Sequence, residues 1–182
     1  MVGLIIGVIV VLIVLFVIST YNALVKLRNK VRDQWSQIDV QLKRRCDLIP
    51  NLVETVKGYA KHEQQTLEDV IKARNTFVTA STPEDEMKAS GEITQALNKL
   101  FALSEAYPEL KANDNFLSLQ SDLKEVEEKI SYARQFYNDN AMNYRNKIEM
   151  FPSNIVAAIF GFKPEAFFEI SNEERKNVEV KF

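Results

Sequence analysis

The sequence predicts an all-α protein: an N-terminal transmembrane helix that continues into a long-helix antiparallel bundle of the four-helix type. Three observations predict it. The first 25 residues carry no charged side chain, so all 23 basic and 25 acidic residues lie beyond them. Past that segment apolar residues recur at sevens, or at threes and fours, which is the helical period. Gly and Pro number five each in 182 residues, too few for an ordinary sandwich, barrel or phosphate-loop protein. No strand-type alternation of useful length occurs.

The first element is the span. Met1–Ile18 reads MVGLIIGVIVVLIVLFVI, and uncharged residues continue to Val25. About 20 residues at ~1.5 Å each cross a hydrocarbon layer of roughly 30 Å. A cleaved signal peptide needs a positive leading region, a shorter apolar run and a small-residue cleavage site. None is clear, so residues 1–25 are read as an uncleaved anchor. Lys26, Arg28, Lys30, Arg32, Lys43, Arg44 and Arg45 follow, interrupted only by Asp33 and Asp39. Positive charge beside a span stays cytoplasmic. The N-terminus is therefore expected outside, with the bundle, residues 26–163, in the cytoplasm. Tyr21 fits an interfacial anchor, and Lys26 can snorkel towards the headgroups. Gly3 and Gly7 form a G-x-x-x-G pattern that can serve span dimerisation; plain lipid-facing glycine is the simpler reading.

The bundle helices follow in order. Leu24, Val31 and Ile38 recur at seven, as do Arg28, Trp35, Leu42 and Ile49, so the membrane helix should continue as one rod. Asp47-Leu48-Ile49-Pro50 reads as a bend, with Asp47 capping and Pro50 in the first turn of a second helix. That helix is expected over 50–80, with an apolar face of Leu52, Val56, Tyr59, Leu67, Val70, Ile71, Phe77 and Val78. Ser81-Thr82-Pro83-Glu84-Asp85 starts a third helix over 83–105. In the fourth, Phe116, Leu123, Ile130, Tyr137, Tyr144 and Phe151 repeat at seven, and Leu119, Val126 and Ala133 supply the second seam. Asn140 and Lys147 break that seam, as an ordinary 3.6-residue period would. The helix ends before Pro152. Ser153 is expected to cap a short apolar helix over 154–160 that Gly161 stops, and residues 164–182 form a tail. Each buried Leu or Phe stabilises by roughly 1.5–3 kcal/mol, so these stripes can hold a domain without metal or disulfide.

Charge and chemistry narrow the function. Residues 26–60 hold eight basic and four acidic side chains, net +4; residues 61–182 hold fifteen and twenty-one, net −6. A basic collar favours anionic headgroups, and the acidic remainder argues against nucleic acid. His62-Glu63-Gln64-Gln65-Thr66 begins like a zinc-protease motif, but Thr66 stands where the second His is needed. Cys46 follows three cations that could activate a thiol, yet no nucleophile motif surrounds it and a packing role is the better reading. No Glu-x-x-His is present to build a bundle metal site. Catalytic, metal and cofactor residues are thus expected to be none, and no small-molecule substrate is expected.

Two polar clusters stand out. Asp39, Gln41, Arg44, Arg45, Asp47 and Asn51 gather around the expected bend. Tyr137, Asn138, Asn140, Asn143, Tyr144 and Asn146 lie late on the fourth helix, where so many Asn suggest amides bonding between helices. Asp39, Arg44, Arg45, Asp47, Asn51, Asn138, Asn143 and Tyr144 are the candidate interaction residues. The competing reading is interhelical registry. Phe151–Phe168 is apolar enough to close a bundle end, or to touch lipid or a partner.

The residues also carry a resemblance. YNALVKLRNKVRDQWSQIDVQLKRRCDLIPNLVETVKGYAKHE (21–63), YPELKANDNFLSLQ (107–120), YARQFYNDNAMNYRNKIEMFPSNIVAAIFGF (132–162) and the closing VEVKF strongly resemble the LemA family. Cys46 departs from the family pattern, which has His or Tyr there, and Asn140 and Arg145 depart from its YN-x-AV-x-x-YN run. The resemblance implies a bacterial single-pass protein of the cytoplasmic membrane with a helical bundle inside the cell and no assigned catalytic residues. It also implies a link to envelope stress and to a membrane zinc protease of the HtpX type, and a relative takes part in magnetosome formation. The expected function is a non-enzymatic, membrane-anchored scaffold or adaptor whose partners are the bilayer, other membrane proteins or itself. The alternative is a lipid-acting or homo-oligomeric protein that remodels or organises membrane.

Overall fold

A computed structural model describes residues 1–168. The rest of the expected tail, with Glu173, Glu174 and VEVKF, lies outside the described residues. Six helices and no strand occur among the described residues: α1 Val2–Tyr59, α2 Gln64–Thr79, α3 Pro83–Ser104, α4 Pro108–Lys111, α5 Asp114–Glu149 and α6 Ser153–Ile159. The contacts divide the chain into two compact units. Among the described residues the first comprises Met1–Ser36 and Arg134–Phe167; the second comprises Gln37–Ala133 and Phe168.

In the first unit, α1 is apolar and long enough to cross a membrane, with an 18-residue window of mean hydropathy 3.3 that is nowhere buried within the chain. Cover begins abruptly: Ile18 is 51% exposed and Leu24 is 0% exposed. From there Leu24 and Val31 on α1 and Tyr137 and Tyr144 on α5, heptad positions expected from sequence, form the buried stripe together with Ala141. Trp35 packs edge-on to Tyr137, with ring centroids 5.8 Å apart. Phe151, the next heptad position, is 79% exposed, because α5 stops at Glu149. Ser153 does not cap α6; it is the first helical residue, and its hydroxyl donates to the Met150 carbonyl at 2.9 Å. Gly161 ends α6 with φ +69°, the left-handed conformation that glycine adopts without steric cost.

In the second unit, α1 and α5 run antiparallel. Arg45 meets Glu127, and Tyr59, fourteen residues on, meets Asn113, fourteen residues back. α2 and α3 pack as neighbours. Ile38, Leu42, Ile49, Leu52 and Val56 of α1 are buried with Val70, Phe77, Ile93, Leu100, Phe116, Val126 and Ile130. The third helix starts as expected: Thr82 Oγ1 accepts from the Asp85 amide at 3.1 Å, ahead of Pro83 and an acidic first turn. Asn113 Oδ1 similarly accepts from the Phe116 amide at 3.0 Å at the start of α5.

The expected bend at Asp47–Pro50 is absent. Pro50 lies inside α1, and Asp47 caps nothing. A proline there removes the amide that would bond the Cys46 carbonyl. Arg74 on α2 replaces it, its Nε donating to the Cys46 carbonyl at 3.1 Å. The chain turns instead at Ala60–Glu63, where no Gly or Pro marks it. There Ala60 is buried, Tyr107 donates its hydroxyl to Glu63 at 3.0 Å, and Asn113 Nδ2 donates to the Tyr59 hydroxyl at 3.0 Å. The apolar face expected for a second helix over 50–80 is also too wide: Tyr59, at the end of α1, and Ile71 and Val78 on α2 are exposed, and Ala73 takes the inward place between Val70 and Phe77.

Candidate functional site

The first polar cluster divides over the surface of α1. Arg45 alone points inward and is 3% exposed. Its Nη2 donates to Thr94 Oγ1 on α3 at 3.1 Å, and Nη1 forms an ion pair at 3.0 Å with Glu127 Oε2 on α5. Thr94 passes the chain on, donating to the Ser90 carbonyl at 3.1 Å. A buried guanidinium needs such partners, because the cost of its desolvation is large. Arg45 therefore ties three helices together, and its fork is engaged by side chains of the protein itself.

Asp39 is half-buried and pairs with Lys43 at 2.7 Å one turn along α1. Arg44, Asp47 and Asn51 are exposed, and their spacing of three and four puts them on one outward stripe. Arg44 also helps Lys129, the main cause, to hold the Glu125 carboxyl below its usual range. Cys46 is buried, and burial pushes its thiol up to about 11, outweighing the nearby Arg74 and Arg45. A neutral thiol is a packing group rather than a nucleophile.

The structure separates the second cluster too. Tyr144 is fully buried and its hydroxyl has no hydrogen-bond partner among the described residues; burial raises its pKa. Asn138 is half-buried and Asn143 exposed. Asn140 Nδ2 donates to the Phe136 carbonyl at 2.8 Å, within its own helix rather than to a neighbour. Tyr137 makes the long-range polar contact here, donating its hydroxyl to the Ala166 carbonyl at 2.8 Å.

Near the span, Tyr21 packs edge-on to Phe160 and Phe162, with ring centroids 4.9 and 5.5 Å apart. The Arg28 guanidinium lies 5.2 Å from the centroid of the Phe162 ring, a cation–π distance. Lys26 is exposed. Gly3 and Gly7 are exposed, and a Cβ at either would meet nothing within the chain.

A cleft of about 580 Å³ opens in the second unit between α3 and α5, with Arg45 and Glu127 at one end and Leu97, Phe101, Leu117 and Lys124 among its walls. Thr94, Glu127 and Arg74 are the residues that sequence reasoning missed. His62 is exposed at the α1–α2 turn. Among the described residues no group of three or more His, Cys, Asp or Glu could hold a metal ion.

The model of the LemA family matches residues 34–182. The chain belongs to the LemA family. The match begins within α1, past the apolar segment. The chain is 28% identical to Protein LemA of Metamycoplasma hominis over 87% of its own length and 73% of the relative's. It is 27% identical to Magnetosome protein MamQ 1 of Paramagnetospirillum magneticum, covering 82% of this chain. It is 26% identical to Magnetosome protein MamQ of Magnetospirillum gryphiswaldense. The matched part covers 64% of the length of either MamQ relative. None of these names denotes an enzyme. The family and the apolar helix together make this a membrane-associated protein.

Proposed function

We propose that this LemA-family chain is a non-catalytic, membrane-anchored scaffold or adaptor that holds a helical bundle at the cytoplasmic face of the bacterial inner membrane. The observation that carries the reading is α1, one helix from Val2 to Tyr59 that begins as an apolar span and ends as a core helix of the second unit. No loop interrupts the helix between its apolar segment and its later residues. Lys26, Arg28, Lys30 and Arg32 follow the span directly, and their charge keeps that side in the cytoplasm. The polar groups that could have done chemistry are engaged structurally: Arg45 by Thr94 and Glu127, Cys46 by burial.

The partner class is other membrane proteins, a membrane protease among them, or further copies of the chain. Arg44, Asp47 and Asn51 supply the test, since all three are exposed. The triple alanine variant should melt with the parent and lose the protein that co-purifies with it from mild detergent. A lowered melting temperature, or an unchanged partner, removes that stripe from the interface. Protease added to intact cells should leave a C-terminal tag in place; its loss would overturn the orientation.

A second reading is membrane organisation by lipid contact or self-assembly. The likeness to magnetosome proteins favours it. Cross-links only between copies of the chain would support it over an adaptor role.

A further inference from the structure

Met150–Phe162 is thirteen residues without a charge, between Glu149 and Lys163. A run of that kind at the end of a bundle should fold inward. Here only four of the thirteen residues do. Ser153, Val156, Ala157 and Phe162 are buried, while Met150, Phe151, Ile155, Ile159 and Phe160 are exposed, Phe151 at 79% and Ile159 at 71%. Ile155 and Ile159 stand one turn apart on the outer side of α6, so the exposed groups form a patch rather than scattered residues.

The position of the patch says what covers it. Phe160 and Phe162 both pack on Tyr21. Tyr21 lies three residues past Ile18, the last of the apolar run, or about 4.5 Å along the helix axis. The bare span ends and the covered stretch begins in that same turn, between Ile18 and Leu24. α6 is thus fixed beside the point where α1 leaves the hydrocarbon, at the depth where amphipathic helices bury an apolar face. Lys26, Lys30, Arg32 and Lys163, all exposed in the same unit, suit anionic headgroups.

We propose that the Met150–Pro152 turn and α6 are a second membrane contact, with Phe151, Ile155 and Ile159 inserted into the interface of the leaflet that α1 exits. The proposal rests on α1 being a transmembrane anchor. Together, span and α6 would hold the first unit at two points and fix its tilt against the bilayer.

The test uses the full chain in phosphatidylcholine–phosphatidylglycerol vesicles, with Cys46→Ala and single nitroxide-labelled cysteines at Val10, Asn143, Phe151 and Ile159. Collision with oxygen, which partitions into lipid, is compared with collision with a water-soluble nickel chelate. Phe151 and Ile159 should favour oxygen several-fold over Asn143, though less than Val10. Chelate access equal to that at Asn143 would overturn the proposal, and so would shielding from both reagents, which means protein covers the patch. Water-like behaviour at Val10 would instead overturn the anchor on which the proposal rests.

Discussion

α1 and α5 supply helices to both units, yet the two units finish their surfaces differently. In the second unit polar side chains from separate helices meet one another: Arg45 with Thr94 and Glu127, Arg74 with the Cys46 carbonyl, Tyr107 with Glu63. In the first, aromatic rings meet, with Trp35 on Tyr137 and Tyr21 on Phe160 and Phe162, and the Tyr137 hydroxyl donates to the Ala166 carbonyl. A buried hydroxyl there, on Tyr144, has no partner among the described residues. Most of an uncharged stretch, residues 150–162, is uncovered. The second unit has α2 and α3 to satisfy it. Among the described residues the first has only parts of the two long helices, the short α6 and the chain after it, and lipid is the cover proposed for its exposed apolar groups.

The largest test of this contrast is truncation of apolar groups in each unit. Leu100→Ala in the second unit should cost about 2–5 kcal/mol, because Leu100 is fully buried and a cavity is left. Ile159→Ala in the first should change denaturant stability in detergent by under about 0.5 kcal/mol. Equal losses would mean that α6 is part of a closed core.

Arg45→Met comes next. It breaks a buried pair, which typically costs about 3–5 kcal/mol when one charge is stranded. Glu127 is partly exposed, 36% by its side chain, and can rehydrate, so about 1–3 kcal/mol is expected. The outward Arg44→Ala should be within about 0.5 kcal/mol of the parent. A silent Arg45→Met would free that residue from its structural role and return it to the candidate partner surface.

Smaller again is the exchange at Pro50. Arg74→Met leaves the Cys46 carbonyl unpaired, at a cost of about 1–2 kcal/mol. In a Pro50→Ala background the restored amide can bond that carbonyl, and the same substitution should cost much less. Equal costs in both backgrounds, from a double-mutant cycle of urea melts, would contradict the replacement. The smallest effect is expected at Tyr144→Phe. Removing a hydroxyl that is buried without a partner should leave stability unchanged or raise it by about 1 kcal/mol. A loss of that size would reveal a bond to that oxygen.

These elements also mark what the sequence made legible. Heptad spacing located the buried stripes of α1 and α5 because burial follows the period directly. The α3 start was readable because Thr82, Pro83 and Asp85 act within four residues. Pro50 misled for the same reason: its local signal is a helix start, and the Arg74 that lets α1 continue lies 28 residues beyond the Cys46 carbonyl it bonds. The turn at Ala60–Glu63 carries no local signal, being held by Tyr107 and Asn113 from distant segments. Arg45 was visible as one of a cluster of charges. That it alone turns inward depends on Thr94, 49 residues on, and on Glu127. The outward face of α6 was visible only as an apolar run, and its contact with Tyr21 is what gives the run a location.

The most direct test of the scaffold reading is lysine-reactive cross-linking of the full chain in intact membranes, followed by mild detergent purification and mass spectrometry. The scaffold reading predicts one reproducible membrane-protein partner in stoichiometric amount; links only between copies of this chain would favour the second reading. A chain recovered alone, with no partner and no self-link above background, would contradict the scaffold reading.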